Sequence, residues 1–148
     1  MIIIIDNKEK MPWKFTGIDC TIIKQHLNAG DYSIQGMEDK IAIERKRSSN
    51  ELAINILEPR FINALERLSK VERPFVLCEF PEYYISTFPS NSGIPKFRQK
   101  YLRVNAGFLY KKIKELREQF PNIVWVFLDS RTLAEMKAVE LFKKYGSS

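Results

Sequence analysis

Apolar residues along the chain recur with two periods. Ile2–Asp6 is an unbroken apolar run ending in an acid, the pattern of a strand buried on both faces. Lys8–Phe15 is polar and carries Pro12, which predicts a loop, and Thr21–Lys24 predicts a second strand. Asp31–Gln35 and Lys40–Lys46 alternate strictly. Tyr32, Ile34, Ile41 and Ile43 fall on one face; Asp31, Ser33, Ala42 and Glu44 fall on the other. Gly36-Met37-Glu38-Asp39 between them reads as a four-residue turn, so the pair predicts a half-buried β-hairpin. Leu52, Ile56, Phe61, Leu65 and Leu68 recur at helical spacing over Glu51–Lys70, with Pro59 kinking or restarting the helix. Phe75–Phe80 is a further core strand. Pro81–Ile94, with Pro81, Pro89, Gly93 and several serines, is a long irregular loop. Lys96–Phe120 is one long helix or two, with Leu102, Leu109, Ile113, Leu116 and Phe120 as its stripe. Ile123–Leu128 reads as a third central strand. Asp129 or Ser130 caps a last helix to Tyr145, stopped by Gly146. This order predicts an α/β fold, a central mixed β-sheet flanked by helices, as one domain over residues 1–148.

The hairpin pattern also sets a register. With the four large apolar residues facing the core, Asp31 stands opposite Glu44, at the roughly 5 Å Cβ separation of cross-strand neighbours. Two carboxylates that close repel unless a proton or a cation lies between them. Lys46, two residues past Glu44, points the same way. Mg²⁺ is a hard ion that takes one or two carboxylates plus waters and a substrate phosphate, and this trio suits it, with Mn²⁺ able to substitute. Acid pairs and Glu-x-Lys also occur by chance on solvated strand faces, so the spacing alone does not decide.

Composition narrows the rest. The 148 residues are 45% hydrophobic and carry a net charge of +6, enough apolar content for a real core and a balance that suits a polyanionic partner. No apolar run approaches the roughly 20 residues of a membrane span. There is no basic start or cleavage site of a secretory signal. Cys20 and Cys78 lie in apolar runs and read as buried free thiols of a reducing, cytoplasmic compartment. Two cysteines and the lone His26, without ligand spacing, argue against zinc; His26 reads as a polar strand-edge residue.

The motifs then fall in a recognisable order. Ile2-Ile3-Ile4-Ile5-Asp6-Asn7-Lys8-Glu9 leads through Gly17-Ile18-Asp19 to Gly30-Asp31-Tyr32. Ile43-Glu44-Arg45-Lys46 follows, then Arg60, then Arg73-Pro74-Phe75-Val76-Leu77-Cys78-Glu79-Phe80. This order resembles the XPF-type nuclease domain family, whose motifs are a hydrophobic strand ending in D-x-R-E, then G-D-Y/F, then V-E-R-K-x-x-x-D. The resemblance is good over about residues 1–85 and looser beyond. Two positions depart from it. Lys8 replaces the arginine of D-x-R-E, keeping charge but losing the planar fork. Asn50 replaces the last aspartate, with Glu51 next. A one-residue slip lets Glu51 serve in its place, but Ser48-Ser49-Asn50-Glu51 also reads as a capping box, which is favoured.

The resemblance implies the restriction-endonuclease-like fold and a Mg²⁺-dependent endonuclease cutting branched DNA, such as flaps, forks or junctions, in repair or recombination. Asp31 and Glu44 are then expected to ligate the metal with the Arg45 carbonyl, while Lys46 orients the attacking water or offsets charge on the phosphate. Asp6 and Glu9 bind metal through waters or hold the ligands, Asp6 being the better candidate. The Arg45 side chain faces the other way and braces a carboxylate, Asp6 or Glu9. Glu79, at a strand end, is structural. Arg60 is a phosphate contact or a surface ion pair. Lys96, Arg98, Lys100 and Arg103, interleaved with Phe97 and Tyr101, track a DNA backbone and stack an unpaired base, or else form a solvated face whose aromatics enter the core. Lys111, Lys112 and Lys114 are solvent-side helix residues paired with Glu115 or Glu118. Family members dimerise and carry a tandem helix-hairpin-helix DNA-binding domain, for which the chain has no room. A homodimer through the last two helices, or a partner nuclease subunit, is expected to make up for it. The competing expectations are a non-catalytic DNA-binding or scaffolding subunit and, more weakly, a nuclease acting on RNA or single strands.

Overall fold

The computed structural model describes residues 1–146. Six strands form one sheet: β1 (Ile2–Ile5), β2 (Thr21–Lys24), β3 (Tyr32–Ile34), β4 (Ile41–Lys46), β5 (Arg73–Cys78) and β6 (Val124–Phe127). Their spatial order is β2-β1-β3-β4-β5-β6. β1 runs antiparallel to β3, and β3 antiparallel to β4; β1–β2, β4–β5 and β5–β6 are parallel. Helices α1 (Ser49–Asn55), α2 (Pro59–Ser69), α3 (Tyr83–Ser86), α4 (Lys96–Gln99), α5 (Ala106–Gln119) and α6 (Arg131–Tyr145) complete the chain. The expected mixed α/β sheet flanked by helices is what forms.

The hairpin register follows the apolar pattern, with Tyr32 paired to Ile43 and Ser33 to Ala42. The hairpin is nevertheless not half-buried. Ser33 and Ala42 are also 0% exposed, because helices cover both faces of the sheet. On one face Ala134, Ala138, Leu141 and Phe142 of α6 pack on Ile3, Ile5, Tyr32, Ile43 and Leu77. On the other, residues of α1, α2 and α5 such as Leu52, Leu65 and Leu109 pack on Ala42, Val76 and Cys78.

Local sequence explains most boundaries. The Ser48 hydroxyl accepts from the Glu51 N–H at 3.1 Å and opens α1; Pro59 ends that run by restarting it as α2, where a proline costs no hydrogen bond. Asn105 caps α5 and Ser130 caps α6. Gly146 does stop α6, but at φ −92 rather than in the left-handed region. A side chain there would collide with Ile34 and with the Phe142 carbonyl.

Four expectations are corrected. β6 is an edge strand, with Val124 48% exposed, since a short apolar run reads alike at the edge and centre of a sheet. The 81–94 loop contains the short helix α3. Trp13 and Phe15, inside the polar 8–15 loop, are core residues, Trp13 being 1% exposed. Cys20 is half-buried, while Cys78 is fully buried; burial raises the Cys78 thiol far above its ordinary pKa. Among the described residues no helix is long and apolar enough to cross a membrane.

Candidate active site

The start of β3 and the end of β4 carry the acid pair, and Gly30 makes their approach possible. Gly30 has φ +75, and a Cβ there would stand 3.0 Å from the Ile43 carbonyl oxygen. The next residue is then pinned from three directions. The Asp31 N–H donates to the Ile43 carbonyl at 2.7 Å, and the Asp31 carbonyl accepts from the Asp6 N–H at 2.9 Å. Asp31 Oδ2 accepts from the Arg45 N–H at 2.7 Å. Glu44 faces the same cleft, as alternation requires. Lys46 Nζ lies 3.0 Å from Glu44 Oε2, donates to Asn55 Oδ1 at 2.7 Å and sits 4.6 Å from the centre of the Phe61 ring. Lys46 is buried, and of the three donors of its ammonium Glu44 and Asn55 take two.

The cleft, about 340 Å³, is lined by Asp6, Asp31 and Glu44 with Lys8, His26 and Arg67 at its rim. Burial, then Glu44, then Glu9 push the Asp31 carboxyl well above the ordinary carboxylate range. Burial works against the Lys46 charge, but Glu44 and Asp31 outweigh it and raise its pKa. The sign of the Asp31 effect is testable. A carboxyl with a raised folded pKa binds its proton more tightly folded than unfolded, so its contribution to stability is fully present below the ordinary value of 3.8. That contribution is lost as pH rises through the folded value. Thermal melts in chelator are expected to show wild type losing stability relative to Asp31→Asn between acid and neutral pH. A constant difference across that range would contradict the shift.

Asp6 is 7% exposed. Its Oδ1 accepts from the Leu27 N–H at 2.8 Å and its Oδ2 from the Lys8 N–H at 3.0 Å. It lines the cleft while tying two loops together. His26 Nδ1 is 3.9 Å from Asp6, at the rim rather than along a strand.

Arg45 projects to the opposite face, as expected, but its main partner is Glu79. Nε and Nη2 donate to the two Glu79 oxygens at 3.1 and 3.2 Å. Nη1 donates to Glu9 at 3.3 Å, to the Met11 carbonyl at 3.0 Å and to the Tyr32 hydroxyl at 3.3 Å. The Trp13 ring lies 5.0 Å from the guanidinium, and its Nε1 donates to Glu79 at 2.7 Å. Arg45 therefore braces Glu79 and Glu9, not Asp6. Burial works against the Arg45 charge, but the Glu79 hydrogen bonds and the facing charges outweigh it and raise its pKa. Glu79 is a residue that sequence reasoning set aside. The available signal was the need of a buried arginine for an acid on the adjacent parallel strand, where Cys78 stands opposite Lys46.

The remaining candidates lie outside the acid cleft. Glu51 is used as a cap: its Oε1 accepts from the Arg47 N–H at 3.2 Å, and it pairs with the Arg47 side chain. Asn50 lies on a separate groove with Arg47 and Arg60. Arg60 is exposed and pairs with Glu58 at 2.6 Å, on the surface rather than in the cleft. Phe97 and Tyr101 do not enter the core; they are 71% and 73% exposed, with Arg98 and Lys100 over their rings. Lys112 pairs with Glu115. Arg67 is the other omission. Its Nε donates to the Asn28 carbonyl at 2.9 Å, it has no acidic partner among the described residues, and it lines the acid cleft.

A mixed six-stranded sheet flanked by helices, with an acid pair and a lysine at adjacent strand ends, defines the domain as α/β. The chain belongs to the ERCC4 domain family, which its sequence matches over residues 5–103, and is an XPF-type nuclease domain. Its fold is similar to that of XPF from Aeropyrum pernix (TM-score 0.63, 20% identity), covering 97% of this chain and 65% of that one. It is also similar to XPF from Aeropyrum pernix in complex with DNA (TM-score 0.58, 20% identity, 99% of this chain and 68% of that one). The chain thus spans about two thirds of the solved proteins it matches. No curated protein matches it in sequence.

Proposed function

We propose that this chain is a structure-selective DNA endonuclease domain that hydrolyses phosphodiester bonds in branched DNA with a divalent metal, Mg²⁺ or Mn²⁺. The observation that carries this reading is the meeting of Asp31 and Glu44 in one cleft, with the buried Lys46 ammonium 3.0 Å from Glu44 behind them. The donor set fits a hard ion. Glu44 lies close enough to Asp31 to hinder its ionisation, a situation a cation relieves. Among the described residues no group of three or more His, Cys, Asp or Glu side chains is placed to hold a metal ion; an ion held by two carboxylates would take its other ligands from waters and a substrate phosphate.

Asp31 and Glu44 would hold the ion, with the Arg45 carbonyl as a third oxygen. When bound, such an ion lowers the pKa of a water and polarises a phosphoryl oxygen. The chain's own part is positional. The Arg45 N–H fixes one Asp31 oxygen, Asp6 fixes the two loops at the cleft mouth, and the Arg45–Glu79–Glu9 cluster fixes β4 from behind. Lys46, held by Glu44 and Asn55, directs its remaining N–H to the attacking water or to the charge building on the phosphate. Lys96, Arg98, Lys100 and Arg103, with Arg60, hold the DNA backbone. Self-association or a partner nuclease subunit would extend that surface.

Arg67 adds a phosphate contact at the cleft mouth, because its Nη fork has no hydrogen-bond partner among the described residues while Nε is anchored. Arg67→Ala is expected to weaken DNA binding several-fold on every sequence and to reduce the slope of log affinity against log salt by about one. An unchanged slope in an anisotropy titration would remove Arg67 from the interface.

A second reading, a non-catalytic DNA-binding or scaffolding subunit, is favoured by Asn50 standing where the family motif has an acid and by the use of Glu51 as a cap. One experiment separates the two. The protein is incubated with labelled duplex, single strand, flap, fork and four-way junction in Mg²⁺, Mn²⁺ or EDTA. Metal-dependent cutting of branched forms supports the endonuclease. Tight binding without cutting in any metal supports the scaffold.

A further inference from the structure

A second concavity lies against α1 and shares no lining residue with the acid cleft. Ile54, Leu57, Phe88, Tyr101, Arg103 and Val104 enclose a niche of about 270 Å³. Its floor is buried Phe88 and Val104; its walls, Ile54, Leu57 and Tyr101, are open to solvent. Asn50 supplies an amide at the rim. Ile54, Leu57 and Tyr101 gather exposed apolar surface around one pocket, the kind of patch that suits an interaction site. The charges around it indicate what binds. Lys96, Arg98, Lys100 and Arg103 occupy the same short segment, while the acids on this side, Glu51 and Glu58, are already paired with Arg47 and Arg60. An apolar slot with an aromatic wall and a basic margin matches a flat heteroaromatic ring attached to a phosphate chain.

We propose that this niche receives one unpaired nucleobase of a single-stranded DNA arm, stacked on Tyr101 with its phosphate at Arg103. This rests on the endonuclease reading and gives it a source of structural selectivity. A base inside a duplex must first break its pairing and stacking to enter, whereas a base on a flap or fork arm is already free. α1 links the niche to the residue that holds Lys46. Asn55 holds the Lys46 ammonium, and the preceding residue, Ile54, walls the niche.

The test is binding in EDTA, so that cutting plays no part. Fluorescence anisotropy would compare a labelled single strand, the same strand with one abasic position, and a duplex, for wild type, Tyr101→Ala and Tyr101→Phe. Tyr101 is exposed, so its removal should leave the melting temperature unchanged. Tyr101→Ala is expected to weaken single-strand binding about tenfold or more. Duplex binding should stay within about twofold, and Tyr101→Phe should bind like wild type. The abasic position should cost wild type affinity and cost Tyr101→Ala nothing further. Equal single-strand affinity of wild type and Tyr101→Ala would overturn the niche assignment and leave the endonuclease reading standing. Failure of wild type to bind any DNA would overturn both.

Discussion

Glu44→Gln and Asp31→Asn are each expected to lower the single-turnover rate of DNA cutting by about 10³-fold or more, the scale of losing a charge-stabilising group from a phosphoryl or acyl transfer site. Both substitutions keep shape and hydrogen-bonding capacity but remove one of two negative charges that attract a divalent ion. The fold should survive. In Asp31→Asn the amide oxygen can still accept from the Arg45 N–H, and the wild-type carboxyl is destabilised by its own burial and by Glu44. DNA affinity should be retained or slightly improved, since neither acid contacts phosphate and each repels it. Lost cutting with preserved melting temperature and affinity is the expected signature. A variant cutting at the wild-type rate would show that the acid pair is not the reaction centre.

Arg45→Ala is expected to be the most destabilising single change in the site region, at about 3–5 kcal/mol, the cost of removing one partner of a buried ion pair. Arg45 is 3% exposed, and its guanidinium satisfies both Glu79 oxygens, a Glu9 oxygen and the Met11 carbonyl. Removing it leaves two carboxylates with no cation beside the Trp13 and Tyr32 rings. Against a total stability of roughly 5–15 kcal/mol for a domain, that is a large fraction. Arg45→Lys keeps the charge without the fork and should fall between. Urea denaturation reads the difference. A loss below about 1 kcal/mol for Arg45→Ala would mean the cluster is solvated and does not brace β4.

How far these features could be read beforehand differs by feature. The acid pair was legible because period-2 alternation fixes register whenever four large apolar residues must face inward, and Tyr32, Ile34, Ile41 and Ile43 left one choice. The burial of the opposite face was not legible, because Ser33 and Ala42 are small and report nothing about what covers them. Ser48 and Glu51 were legible as a cap, since capping geometry is local in sequence. Glu79 and Arg67 were not. Each acts through a contact made by the fold, Glu79 across 34 residues to Arg45 and Arg67 across 39 residues to Asn28. Trp13 escaped for a related reason: its polar neighbours mark a loop, and only the stacking on Tyr32, at 4.5 Å between ring centres, draws it into the core. The exposure of Phe97 and Tyr101 likewise depends on how α4 sits on the surface, which neither composition nor spacing determines.

Whether Asp31 and Glu44 together hold a divalent ion can be read directly with a paramagnetic metal. At 17.4 kDa the protein is within easy reach of amide NMR, and substoichiometric Mn²⁺ broadens signals near its binding site. Wild type is expected to lose the amide signals of Gly30, Asp31, Glu44, Arg45 and Lys46 first, and Glu44→Gln to keep them at the same Mn²⁺ concentration. Broadening centred elsewhere, or identical in the variant, would contradict the account.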